Sequence, residues 1–240
     1  MKKIILLLVC LPLFGNAQLK NVIKKAAAKA TTKTSAVSTL EIANGLKEAL
    51  DNGVKKQVTK LTAVDGFYKN ELVKILLPEE LQKVDARLRK IGLGSLADEG
   101  ILTLNRAAED AVKQSTPIFV DAIKNMNFTD AKNILLGKEN AATTYLQTST
   151  NKTLYDKFSP VIKTSLAEVG ADAVWTKIID KYNSIPLVTK MNPDLTDYTT
   201  NKALEGVFKM ITVEEKNIRS GLDSRTSALL KKVFALQDKK

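Results

Sequence analysis

Asn105, Arg106 and Glu109 stand together in the run LTLNRAAEDAV and are the residues of this chain best suited to chemistry. On a helix Asn105 and Glu109 fall four residues apart on one face, and Arg106 can reach Asp110 in the same way. A guanidinium offers two parallel N–H bonds to a carboxylate or phosphate. An arginine beside a carboxylate and an amide can therefore orient an anionic ligand, which makes this triad the candidate ligand-binding site. The same three side chains can instead form a polar network that fixes the register of one helix against another. No residue is assigned a catalytic role.

Other patterns are weaker. Gly92, Gly94 and Ala97 match G-x-G-x-x-A, but a basic helical stretch precedes them where a strand would be needed, so helix-capping glycines explain the pattern. Asn192, Asp194 and Thr196 alternate like the first ligands of a calcium loop. Asp197 then stands where glycine is required and Ala203 where the bidentate glutamate is required, which leaves helix capping. The adjacent pairs Glu79-Glu80 and Glu214-Glu215 point to different sides of a helix rather than across a cleft, and read as first-turn charges. Five arginines, Arg87, Arg89, Arg106, Arg219 and Arg225, interrupt a chain that otherwise takes its positive charge from lysine, so each marks a place that needs a planar donor fork. Local carboxylates are at hand for two of them, Asp85 for Arg89 and Glu215 for Arg219, which points to structural pairing.

Composition excludes more than it proposes. The chain has no histidine and one cysteine, Cys10. Catalysis by Ser-His-Asp or Cys-His and zinc sites of the usual Cys/His kind are excluded. No metal or cofactor is expected. Met1 to Ala17 reads as a secretory signal, with Lys2 and Lys3 before an apolar centre and Gly15-Asn16-Ala17 at the cleavage site. Val9 before Cys10 does not fit a lipobox, and removal of the signal leaves no thiol for a disulfide.

The formal charge is +11, carried unevenly. Residues 18–39 form a basic low-complexity linker with Lys20, Lys24, Lys25, Lys29 and Lys33 and no acidic residue, whereas from Leu40 onward 30 basic side chains face 26 acidic ones. Such a tail suits an anionic membrane or wall surface. A solvated linker that binds nothing is the plain alternative, and nucleic acid is not an expected partner of an exported chain.

The elements that must position the triad are helices. Ile42, Leu46, Leu50, Val54 and Val58 recur at helical spacing, with Thr39 as a cap whose capping-box partner would be Ile42, a poor fit. Phe67, Leu72, Ile75 and Leu76 predict a second helix before Pro78, and Glu79 to Ile91 a third that stops at Gly92. A fourth runs from Leu96 to Gln114 behind Ser95 and Asp98, with Ile101, Leu104, Ala108, Ala111 and Val112 inward. Further helices are predicted from Pro117, over Ala131 to Leu136, Asn140 to Gln147, Thr153 to Val169 with a break or kink at Pro160, and Ala171 to Ile185. After a loop from Pro186 to Thr196 come Asp197 to Ile211, Val213 to Ser220 and a last helix behind Asp223. The fold class is all-α: one multi-helix bundle of about ten helices over residues 40–238.

Several blocks carry a resemblance. GLKEAL at 45–50, DGFYKN at 65–70, LPEEL at 77–81, LNRAAE at 104–109, DAKNILLG at 130–137 and LEGVFKMITVEEKNIR at 204–219 are similar to an exported bacterial family, domain of unknown function 4197. The resemblance spans about Leu40 to Phe234 and implies a helical exported domain, without an activity or functional residues to transfer. The expected function is a non-enzymatic binding or interaction protein of the bacterial envelope, in the periplasm or released, holding a small ligand or an envelope protein between helices. The alternative is a hydrolase-type enzyme using Asp/Glu acid-base chemistry in a helical groove.

Overall fold

Ser38 opens the first helix, α1 (Thr39–Leu61), with a reciprocal cap. Its hydroxyl accepts from the Glu41 N–H, and its own N–H donates to the Glu41 carboxylate. The cap thus lies one residue before the expected Thr39, because only Ser38 has a glutamate three residues on. The computed structural model describes residues 37–90, 92, 94–168 and 194–238, with isolated positions between 169 and 193. The signal peptide, the linker lysines Lys20 to Lys33 and most of the helix expected over Ala171 to Ile185 lie outside the described residues.

Among the described residues every regular element is helical: α2 (Glu79–Lys90), α3 (Gly94–Val112), α4 (Ser115–Asn125), α5 (Phe128–Leu136), α6 (Ala141–Glu168), α7 (Leu195–Ser220), a 3-10 turn (Leu222–Ser224) and α8 (Ala228–Phe234). These are fewer and longer than the ten or so expected. The stretches read as separate helices before and after Thr153 form the single α6, which passes through Pro160. Its buried face, Leu146, Thr150, Leu154, Phe158, Ile162 and Leu166, repeats every four residues against α7 and α3. Packing along that stripe outweighs the hydrogen bond that proline removes. The break expected near Thr212 is likewise absent, since Thr212 turns its hydroxyl back to the Phe208 carbonyl and α7 continues. Asn127 caps α5, which starts at Phe128 rather than the expected Ala131, and Ser227 rather than Asp223 caps α8.

The largest departure lies between α1 and α2. Residues 62–73 are mostly turns and 74–78 carry no regular secondary structure, where a second helix was expected. Burial there follows a period of two: Val73, Ile75 and Leu77 are inside, while Leu72 and Leu76 are about half exposed, at 49% and 50%. That alternation belongs to an extended chain. Phe67, fully buried, presses on α7 at Gly206, where an added Cβ would stand 2.7 Å from the Phe67 ring.

α6 and α7 lie side by side at the centre, with α3 against both and α1 along α7, α4, α5 and α8. Phe119 of α4 meets Phe208 of α7 edge to face at 6.0 Å. The alanines of α3, Ala107, Ala108 and Ala111, are fully buried and admit the neighbouring helices closely. At its first turn α1 is tied to α8 by Lys232, whose ammonium donates to Glu41 at 2.7 Å. No helix among the described residues is long and apolar enough to cross a membrane.

The α1–α8 clip predicts an acid response. Lys232, and after it the Ser38 groups, hold the Glu41 carboxyl down to about 2 from 4.5. A carboxyl depressed in the folded state contributes stability that is present above its unfolded value and is lost as pH falls through the folded one. In thermal melts taken from about pH 5 to about pH 2, Glu41→Gln should show a shallower acid-side fall in Tm than the parent protein; parallel curves would contradict the clip.

Candidate functional site

Once the chain leaves α1 its backbone has no helix to satisfy it, and α3 supplies the missing partners. The Asn105 side chain, fully buried, accepts from the Ile75 N–H at 2.8 Å and donates to the Ile75 carbonyl at 2.8 Å and to the Ile101 carbonyl at 2.7 Å. Its amide pairs with Ile75 as a neighbouring strand would. One turn along, Glu109 accepts from the Phe67 N–H at 3.0 Å and from the Tyr68 N–H at 3.4 Å. Its other oxygen takes Arg106 at 2.6 Å.

Arg106 also reaches Asp65 at 2.6 Å, rather than the expected Asp110, which pairs with Lys113. Asp65 sits in the left-handed region with φ 67°. Lys69 and then Arg106 lower its pKa, and Glu109, followed by Asp65, raises that of Arg106. Of the three residues singled out from the sequence, Arg106 and Glu109 bond each other and Asn105 lies on the same helix without bonding either; together they tie the segment from Asp65 to Ile75 to α3.

The other arginines are also pairing residues. Arg219 binds Glu215 through Nε at 2.9 Å and Nη2 at 2.7 Å, and also donates to the Ile134 and Leu135 carbonyls at the end of α5. Glu215 in turn accepts from the Ala142 and Thr143 N–H groups and the Thr143 hydroxyl, at the start of α6. Glu214 takes Lys56 and Gln57 of α1, both at 2.7 Å. Glu214 and Glu215 are therefore buried connectors within α7 and not the first-turn charges expected of them. Arg225, 2% exposed, closes the end of α7 by donating to the Ile218 and Arg219 carbonyls, and forks onto Asp238. Arg89 pairs with Asp98. Gly92, with φ 82°, ends α2, and Asp194 caps α7 by accepting from the Thr196 N–H.

Sequence reasoning missed a groove of about 750 Å³ between residues 72–79 and the first half of α7. Leu72 and Leu76 are exposed on one wall; Tyr198, Asn201, Glu205 and Lys209 stand on the other. Tyr198 spans it, donating to the Leu76 carbonyl at 2.8 Å. Beside it Asp197 accepts from Tyr155 at 2.6 Å, a bond that, followed by burial, raises the tyrosine pKa. The sequence carries little signal for this groove, since Val73, Lys74 and Ile75 alternate over three residues only and Leu72 and Leu76 fit helical spacing equally.

Residues 36–235 match the family described as "Protein of unknown function (DUF4197)". The chain belongs to this family. Comparison with curated proteins and with solved structures returns no match. Membership covers the whole helical domain, so both the α3 network and the groove lie within the part shared with the DUF4197 family.

Removing the Asn105 amide orphans the Ile75 N–H and carbonyl, each costing about 1–3 kcal/mol. Asn105→Ala should therefore lower stability by about 3 kcal/mol in urea denaturation. Arg106→Ala should cost less, about 1–2 kcal/mol, because the buried Glu109 carboxylate keeps the Phe67 and Tyr68 N–H groups and Asp65 is open to water. Equal losses from the two would show that the amide pairing is not what holds Ile75.

Proposed function

We propose that this DUF4197 protein is an exported, non-enzymatic binding protein whose ligand lies in the groove between residues 72–79 and α7. The observation that carries the reading is the state of that wall. Leu72 and Leu76 are half exposed in a concave surface of about 750 Å³, although the chain has ample core in which to bury leucine. Cavities of this size with a few convergent polar groups are the usual form of ligand sites.

In this reading the triad acts from behind. Asn105, Arg106 and Glu109 set the wall, and the residues that touch ligand are Leu72, Leu76, Tyr198 and Lys209. Export follows from the expected signal and belongs to the proposal. The binding reading is preferred to acid-base hydrolysis because Leu72 and Leu76 form the groove wall, while Asp197 is taken up by Tyr155 and Asn201 and Glu205 by Lys202.

Small molecules and peptides that co-purify with the protein from its native envelope, identified by mass spectrometry, give the test. Leu72→Asp and Leu76→Asp change exposed side chains, so Tm should move little while the retained ligand falls about tenfold. Retention of the same ligand at undiminished level by both variants would place its site elsewhere.

A further inference from the structure

The groove wall around Ile75 is a strand-like segment with no sheet beside it. Asn105 occupies the side of Ile75 that faces α3, taking both its N–H and its carbonyl. Because backbone groups of successive residues in an extended chain point to opposite edges, those of Lys74 and Leu76 turn the other way. The Leu76 carbonyl does meet α7, through Tyr198. Among the described residues nothing accepts from the Leu76 N–H and nothing donates to the Lys74 carbonyl. An edge that offers one donor and one acceptor beside exposed leucines is what an incoming strand needs.

Charge gives the occupant a direction. Val73 lies against Gly206 and Leu76 against Tyr198, so the strand runs antiparallel to α7. One end of the groove carries Glu79, Asp194 and Asp197 together with Lys190, and the other Lys209 and Lys74, whose ammonium lies 4.6 Å from the Tyr68 ring centroid. Between them Lys202 and Glu205 pair with each other at 2.7 Å. The three carboxylates outweigh Lys190 and the roughly half positive charge of the helix start together. From Asp194 to Lys209 the helix advances about 22 Å, the length of about six residues of extended peptide.

Building on the groove reading above, we infer that the occupant is an extended peptide of about six residues, paired by its backbone to Lys74 and Leu76. Its amino end lies at Glu79, Asp194 and Asp197, and its carboxylate end at Lys74 and Lys209. The leucines supply apolar contact to alternate side chains, and the two charged ends supply the polarity.

Calorimetry on the full chain, with leucine methyl NMR reporting on Leu72 and Leu76, tests this with four probes. The first is the hexapeptide Lys-Val-Thr-Val-Thr-Glu with free ends. The second is Glu-Val-Thr-Val-Thr-Lys, acetylated and amidated. The third is the first peptide N-methylated at alternate backbone nitrogens, in both registers, and the fourth is decanoate. The first peptide should bind at least about tenfold more tightly than the second, and one of the two N-methylated registers should lose about tenfold. Lys209→Glu, a change at an exposed side chain, should reduce the preference between the first two peptides. Equal affinity for both charge orders, or indifference to both N-methylations, would overturn the inference. Decanoate moving the two leucine methyls while no peptide does would overturn the peptide and leave the groove as a binding surface; silence from all four probes would overturn both.

Discussion

A buried backbone outside regular structure must find hydrogen-bond partners, and in this protein the most demanding case is Ile75. It is 2% exposed, in a strand-like segment with no neighbouring strand. An asparagine side chain carries the same donor and acceptor as a peptide unit, and Asn105 uses both on Ile75. The pairing keeps residues 74–78 strand-like, turns Leu76 outward, and thereby makes one wall of the groove. Glu109 and Arg106 extend the same arrangement to Phe67, Tyr68 and Asp65, so α3 holds the whole crossing from α1 to α2.

The same logic recurs where helices end. Glu215 satisfies N–H groups at the start of α6, Arg219 carbonyls at the end of α5, and Arg225 carbonyls at the end of α7. Unpaired groups at helix termini are a known cost of helical folds. Here long side chains from α7 and its continuation meet it while linking elements far apart in sequence. Arginine is used at these places because one planar fork can serve a carboxylate and two carbonyls together, which a lysine ammonium does less well. The expectation that each arginine marks a need for geometry holds for Arg106, Arg219 and Arg225. Their partners were not all the nearest carboxylates in sequence, since Arg106 passes over Asp110 to reach Asp65.

Function follows from what these networks leave open. Around α3 and the middle of α7 charged groups are paired with one another, and in the groove between residues 72–79 and Tyr198 two leucines and backbone groups meet solvent. The proposed binding role suits that division: the Asn105 pairing fixes the wall, and the wall presents exposed leucines. The DUF4197 family relationship fixes the extent of the domain and leaves its chemistry to be read from such surfaces.

The sequence by itself determined the helical class, most helix starts and ends, the glycine stop at Gly92, the apolar face of α3, and the grouping of Asn105, Arg106 and Glu109. All are local properties, set by spacing along one helix or by caps within four residues. Only the tertiary structure decided that α6 runs on through Pro160, that Glu214 and Glu215 are buried, and that residues 74–78 are not helical. In each case the deciding partner lies on another element: α7 and α3 for α6, Lys56 and Thr143 for the two glutamates, and Asn105 for Ile75. Periodicity weighs a residue against its neighbours in sequence, whereas these outcomes were set by hydrogen bonds and packing between residues 30 to about 160 positions apart.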